Sequence, residues 1–299
     1  MTPDLLAPLA PLRRALAKSL RDRVAGEDAE QRARTIWGSE GPRWFTADDP
    51  IWRVHADASM FVGGVRALLL QSLHPLAMAG VAGHSGFRGD PWGRLERTSR
   101  FLATTTFGTI AHAEAEIAKV TGIHRTVVGR ADDGRPYSAN DPHLLEWVHI
   151  AEADSFLCTY QQFGGTRLTE SEADLFVEQG SVVARKLGVR NPPTTVAQLH
   201  ARLEAFRPEL EATPACRDAA KFLLLDPPLP VASRPGYGLL AAGAIATLPG
   251  WARRELRLPP PLPLWDAPGR LLGRVGASVV RWAMSDPSVA NRRSPENAA

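Results

Sequence analysis

Lysine, cysteine and tyrosine are scarce in this 299-residue chain, and the first two scarcities remove whole classes of explanation. Only Lys18, Lys119, Lys186 and Lys221 are lysine, so arginine carries most of the positive charge. The 35 basic and 32 acidic residues nearly balance, at +3, and are mixed along the chain. No basic block is interleaved with aromatics, so no nucleic-acid partner is expected. Cys158 and Cys216 stand far apart with no second cysteine near either. That spacing excludes a CxxC zinc or iron–sulfur site, gives no disulfide scaffold and fits a reducing, cytoplasmic setting. Long apolar runs are missing too. The most apolar stretch, Met60 to Ala82, is interrupted by Arg66, Gln71 and His74-Pro75. It falls short of the roughly 20 residues a membrane span needs, so no integral membrane segment is expected. "MTPDLLAPLAPLRRALAKSLRDR" lacks the basic and then apolar regions of a secretory signal. There is no GxGxxG after a strand, no P-loop and no GxSxG elbow, which disfavours nucleotide binding and α/β-hydrolase chemistry. No HxH, HExxH or 2-His-1-carboxylate spacing stands out, so a mononuclear metal site has little support from spacing.

What is present is helical periodicity. With 44% hydrophobic and 22% charged residues, the chain can bury a large core. Residues 1–40 read as an amphipathic helix followed by a charged, mobile connector. Asp48 or Asp49 can cap a helix opened by Pro50, which leads into a buried helix reaching Ala82. Glycines and Asp90-Pro91 break the chain before a helix from about Gly93 to Thr106. The next helix carries Ile117, Val120, His124 and Val127 on one stripe and ends at Gly129. "RADDGRPYSANDP" reads as a loop, with Asn140 or Asp141 capping a helix begun by Pro142 and running to about Phe163. Further helices are expected at 169–188, 194–206, 214–225, about 238–256 and 268–284. Alternating β patterns are almost absent. The expected fold is all-α, a single large helical domain over 31–285. An N-terminal helix and connector (1–30) precede it, and a polar tail (286–299) follows.

Several side chains are costly inside such helices. Arg94, Arg97 and Thr98 lie three and four residues apart and share a face. Two guanidiniums and a hydroxyl there can hold a carboxylate, polarise a bound oxygen or orient a carbonyl. The same spacing also describes a solvated charged face, the more frequent case. His124 follows an apolar stripe, His149 sits in "LLEWVH" and His74 in "QSLHP". Each is equally compatible with a core histidine bonded to a carbonyl. His84 lies in a Gly-rich turn, and His55, His112, His143 and His200 read as surface or capping residues. A cofactor that is itself apolar and takes an imidazole, as haem does, accounts for such residues on core-facing stripes.

"SLHPLAMAGVAGHSGFRGDPWGRLERTSRFLATTTFGT…IHRTVVGRADDGRPYSANDPHLLEWVHIAEADSFL" resembles the domain family that includes the latex clearing proteins (rubber oxygenases) and the fungal oxygenase of mycophenolic acid biosynthesis. The resemblance covers roughly residues 30–260 and is densest over 71–160. It implies an all-helical fold around a haem pocket, with haem b held by one proximal histidine. The place of "IHRTVVG" after the Arg/Thr helix assigns that ligand to His124, with His149 as the alternative and His74 as a further cofactor-side candidate. Rubber oxygenases carry a distal Arg-x-x-Lys-Thr cluster, and "RLERT" matches Arg94 and Thr98 to its arginine and threonine. Arg97 replaces the lysine, and because a guanidinium is a poor iron ligand, lysine-type capping of the iron is not carried over. The family's upstream glutamate has no counterpart in "LAMAGVAGHSGF", where His84 is the obvious titratable substitute, so polyisoprene cleavage is not carried over either. The expectation is a haem b-dependent oxygenase acting with O2 on an apolar substrate, using Arg94, Arg97, Thr98 and His84 on the reacting side. The alternatives are a haem-binding or haem-sensing protein without turnover and a helical interaction protein with a degenerate pocket.

Overall fold

A computed structural model describes residues 9–25, 29–85 and 89–286, so most of the expected polar tail and part of the glycine break before Asp90 lie outside it. Among the described residues are fourteen α-helices and one short antiparallel hairpin. In chain order the helices are α1 (Ala10–Ala25), α2 (Ala29–Gly38), α3 (Pro50–Ala56), α4 (Met60–Gln71), α5 (Pro75–Gly80), α6 (Pro91–Phe107) and α7 (Ile110–His124). After the hairpin come α8 (Pro142–Phe163), α9 (Glu170–Leu187), α10 (Val196–Phe206), α11 (Pro214–Leu225), α12 (Arg234–Thr247), α13 (Gly250–Glu255) and α14 (Pro263–Met284). The fold is a single all-α domain.

Where starts are written in the sequence, the helices begin as expected. Asp90 accepts from the Gly93 amide at 2.9 Å to start α6, and Asp141 accepts from the His143 amide at 2.8 Å to start α8. Thr169 and Glu172 form a reciprocal capping box on α9. The start of α3 differs from expectation. Asp49 precedes it without capping it, because its carboxylate accepts from Thr46 and from Gln179 Nε2. Gln179 Oε1, brought from α9, accepts from the Ile51 amide at 3.0 Å instead.

Four expectations are corrected. The charged connector is partly helical, as α2. The single buried helix to Ala82 is two helices, α4 and α5, bent by 105° at a short break. Pro75 drives that bend, since it has no N–H to continue the ladder and it pushes His74 into extended backbone (φ −85, ψ 115). A π-helical turn then spans Val81–Ser85. The region near 238–256 is also two helices, divided at Leu248-Pro249 by the same chemistry. Finally, α7 stops at His124, and Val128–Arg130 (β1) pairs with Pro136–Ser138 (β2) as a hairpin where a helix end and a loop were expected.

The core lies where α4, α8, α12 and α14 pack. Val62, Leu69, Leu70, Leu73, Trp147 and Ile150 are fully buried, each contributing roughly 1.5–3 kcal/mol by leaving water. Helices α12 and α14 meet backbone to backbone: a Cβ at Gly243 would lie 2.6 Å from the Gly273 Cα. Arg66 crosses the core at 2% exposure, paired with Asp154 at 2.7 Å and donating to Ser155 Oγ (2.7 Å) and the Thr247 carbonyl (3.0 Å). Its charge is thereby compensated. Helix α1 packs on α6 and α14, with Arg13 donating to the Trp282 carbonyl at 3.0 Å. Among the described residues no single helix is long and apolar enough to cross a membrane. The bent pair of α4 and the following 75–84 segment is long enough together. Much of α4, however, is buried in the core: Val62, Leu69 and Leu70 are 0% exposed.

Candidate active site

Helix α6 forms one wall of a large cavity. Pro91 and the Asp90 cap fix its first turn, and the following turns place Arg94, Thr98, Phe101, Leu102 and Thr105 along the lining. Arg94 is half-buried, and burial, reinforced by the neighbouring Arg97 charge, lowers its pKa from the ordinary arginine value. Thr98 is open to the cavity. Arg97 shares the face but is exposed, and its guanidinium pairs with Asp90 at 3.1 Å. Helix α6 is anchored by Glu96 to Arg32 of α2 (2.7 Å) and by Arg100 to Glu116 of α7 (2.9 Å).

The cavity measures about 2270 Å³, well above the roughly 300–1,000 Å³ of ordinary small-molecule pockets. Its wall is mostly apolar, including a packed group in which Phe107 stacks on Trp37 (4.7 Å) and meets Trp52 edge-on (4.8 Å). Val120 and His124 reach it from α7 and Val127 from the residues after the helix, while Ile117 of the expected stripe is not among the lining residues. His124 is half-buried, its pKa is lowered by burial, and its buried Nδ1 has no hydrogen-bond partner among the described residues. From α8 comes His149, whose buried Nε2 also lacks a partner and whose pKa is pushed down to about 4 by burial. Both imidazoles are therefore neutral near pH 7, the form that binds a metal. One turn along α8, Glu152 lines the same cavity, and burial raises its pKa to about 7. Helix α3 adds His55, held down at about 4 by burial, with Nδ1 2.7 Å from Thr106 Oγ1.

Against this geometry stands one family match: residues 52–282 fit the family described as ER-bound oxygenase mpaB/B'/Rubber oxygenase, catalytic domain. The chain belongs to this family. Neither a curated protein nor a solved structure matches it significantly. The matched span runs from α3 into the last turn of α14 and so includes the helices that carry His55, Arg94, Thr98, His124, His149 and Glu152.

Within this oxygenase domain the other expected residues divide. His84, in the π-helical turn, lines the cavity, and its Nδ1 is 3.3 Å from the Tyr137 hydroxyl. Tyr137 reaches it from β2 because glycine occupies the positions around its ring: a Cβ would come within 2.6 Å of the hydroxyl at Gly129 and 2.9 Å at Gly83. His74 is not among the lining residues. It sits at the α4–α5 junction against His143, Trp147 and Phe206. The structure thus brings Arg94, Arg97, Thr98, His84, His124 and His149 to one cavity and leaves His74 outside it. Sequence reasoning missed His55, Glu152 and Tyr137. For Glu152 a signal was present, since "HIAE" sets an acid three residues after His149 on an apolar helix.

Proposed function

We propose that this domain is a haem b-dependent oxygenase that uses O2 on an apolar organic substrate. One observation carries the reading: an apolar cavity of about 2270 Å³ whose lining includes two half-buried, neutral histidines, His124 and His149, together with Arg94 and Thr98. Those residues fit haem, which requires an imidazole, an apolar enclosure and cations for its carboxylates. When bound, haem supplies the iron chemistry of O2, and the protein supplies ligation, orientation and electrostatics. His124 is assigned as the ligand from its place in "IHRTVVG", with His149 as the alternative. Arg94 would keep its charge despite burial and stabilise a carboxylate or negative charge developing in the cavity. Thr98 would donate its hydroxyl proton to the same region. Glu152, near pKa 7, would take or give a proton at neutral pH. The apolar wall would keep water from the reacting atoms.

Purification with haem supplied tests the reading: a Soret band with stoichiometric iron is expected, and absence of both overturns it. His124→Ala should lose haem while His149→Ala retains most of it. The reverse outcome moves the ligand to His149. A haem-binding protein without turnover is the second reading, favoured by the engagement of Arg97 with Asp90. It predicts the Soret band without substrate-dependent O2 consumption.

A further inference from the structure

A second group of ligating side chains lies outside the cavity. His74 closes the α4–α5 junction, His143 stands in the first turn of α8, and Glu209 ends a short 3₁₀ turn (Arg207–Glu209) after α10. None of the three lines the cavity. One ligand atom from each converges, all within 4.8 Å of one another. Glu209 Oε2 lies 2.9 Å from His143 Nε2 and 3.6 Å from His74 Nε2. These two separations bracket the edge of about 3.3 Å that a tetrahedral zinc site with ligand bonds of about 2.0–2.1 Å requires.

His74 makes this more than a surface ion pair. It is 1% exposed, and neither ring nitrogen has a hydrogen-bond partner among the described residues. An imidazole so buried ordinarily satisfies at least one nitrogen. Burial, opposed by Glu209, lowers its pKa and so favours the neutral form, which has a lone pair to offer. His143 and Glu209 are about half exposed, so the side away from His74 is open to water. The backbone around the three is fixed independently of any ligand. The Glu211 amide donates to the Leu73 carbonyl at 2.8 Å, Trp147 Nε1 donates to the Gln71 carbonyl at 3.2 Å, and Phe206 stacks on His143 at 4.4 Å.

We propose that His74, His143 and Glu209 bind one divalent transition cation of the zinc class, clamping the α4–α5 junction to α8 and the 207–209 turn. Two imidazoles and a carboxylate leave a fourth position for water, the arrangement of an open zinc site. Coordination would occupy the His74 nitrogen facing Glu209 and replace the His143–Glu209 contact with two metal bonds.

The experiment uses the full chain as purified, with any cavity cofactor in place, after a chelator has removed loosely held divalent ions. Zn2+ is titrated by calorimetry, and thermal melting is followed with and without it. One equivalent is expected to bind and to raise the melting temperature. His143→Ala and Glu209→Gln change half-exposed side chains, and Glu209→Gln leaves the Phe206 packing of His143 in place. Each should weaken binding at least about tenfold and abolish the thermal shift, while His200→Ala, an exposed histidine elsewhere, leaves both unchanged. No stoichiometric uptake by the wild type overturns the proposal. So does wild-type affinity in His143→Ala and Glu209→Gln, which would place the zinc elsewhere in the chain.

Discussion

Arg94, Arg97 and Thr98 all line the cavity, and the Arg97 guanidinium is also held by Asp90 at the helix start. Arg94→Ala and Thr98→Ala are expected to keep the haem spectrum while turnover falls about 10²–10³-fold, the usual loss for one preorganised donor. Steady-state O2 consumption checks this, and unchanged rates in both variants would return α6 to a merely charged helix. Glu152 makes a prediction in pH. Its native pKa of about 7 lies above the ordinary value near 4.3. The folded state therefore holds this proton longer, and the group costs stability progressively as pH rises from about 4.3 through 7. Glu152→Gln should raise stability at pH 8 by about 1–3 kcal/mol and change it little at pH 4, read from urea midpoints. His55 and His149 act in the opposite sense: held at about 4, they lose stability as pH falls from about 6.5 towards 4. Helical spacing put Arg94, Arg97 and Thr98 on one face, and the family resemblance singled out His124 and His149; the structure lines one cavity with all five. His55 was not legible, since α3 spans only Pro50–Ala56, too short for a stripe, and its burial comes from Thr106, Phe156 and Phe176 on other helices.

Helix starts were legible wherever a side chain of the same segment caps them, as Asp90, Asp141 and Thr169 do. Breaks were harder. The turn at residues 72–74 carries a local mark in Gln71, Ser72 and His74-Pro75, but what stabilises it is partly remote: Ser72 Oγ contacts Cys216 Sγ at 3.3 Å, and the Leu73 carbonyl accepts from Glu211. The hairpin was hidden for another reason. Its strands are three residues each and mostly exposed, so no alternation marks them. The contact between α12 and α14 yields a test against local propensity. Alanine favours a helix over glycine by about 1 kcal/mol, yet a Cβ at Gly243 would stand 2.6 Å from the Gly273 Cα. Gly243→Ala should therefore destabilise by about 1–3 kcal/mol through overpacking. A raised melting temperature would refute that packing.

For the whole molecule, a cavity of about 2270 Å³ is space that the described residues leave unfilled. A ligand binding only the folded state at 100 times its Kd stabilises it by about 2.7 kcal/mol. Haem-loaded protein is accordingly expected to melt several degrees above haem-free protein, and to lose that gain in His124→Ala. The cavity's perimeter has a temporal consequence as well. Its wall draws on residues from Leu16 to Ser285, with Gly276, Val279, Val280 and Met284 supplied by α14. At roughly 5–20 residues per second of synthesis, the first wall helix waits on the order of tens of seconds for the last. On the proposed function, haem loading therefore waits until α14 has been made. A nascent chain arrested before Pro263 should emerge colourless from a haem-supplemented translation reaction, and one extending through Asp286 should not.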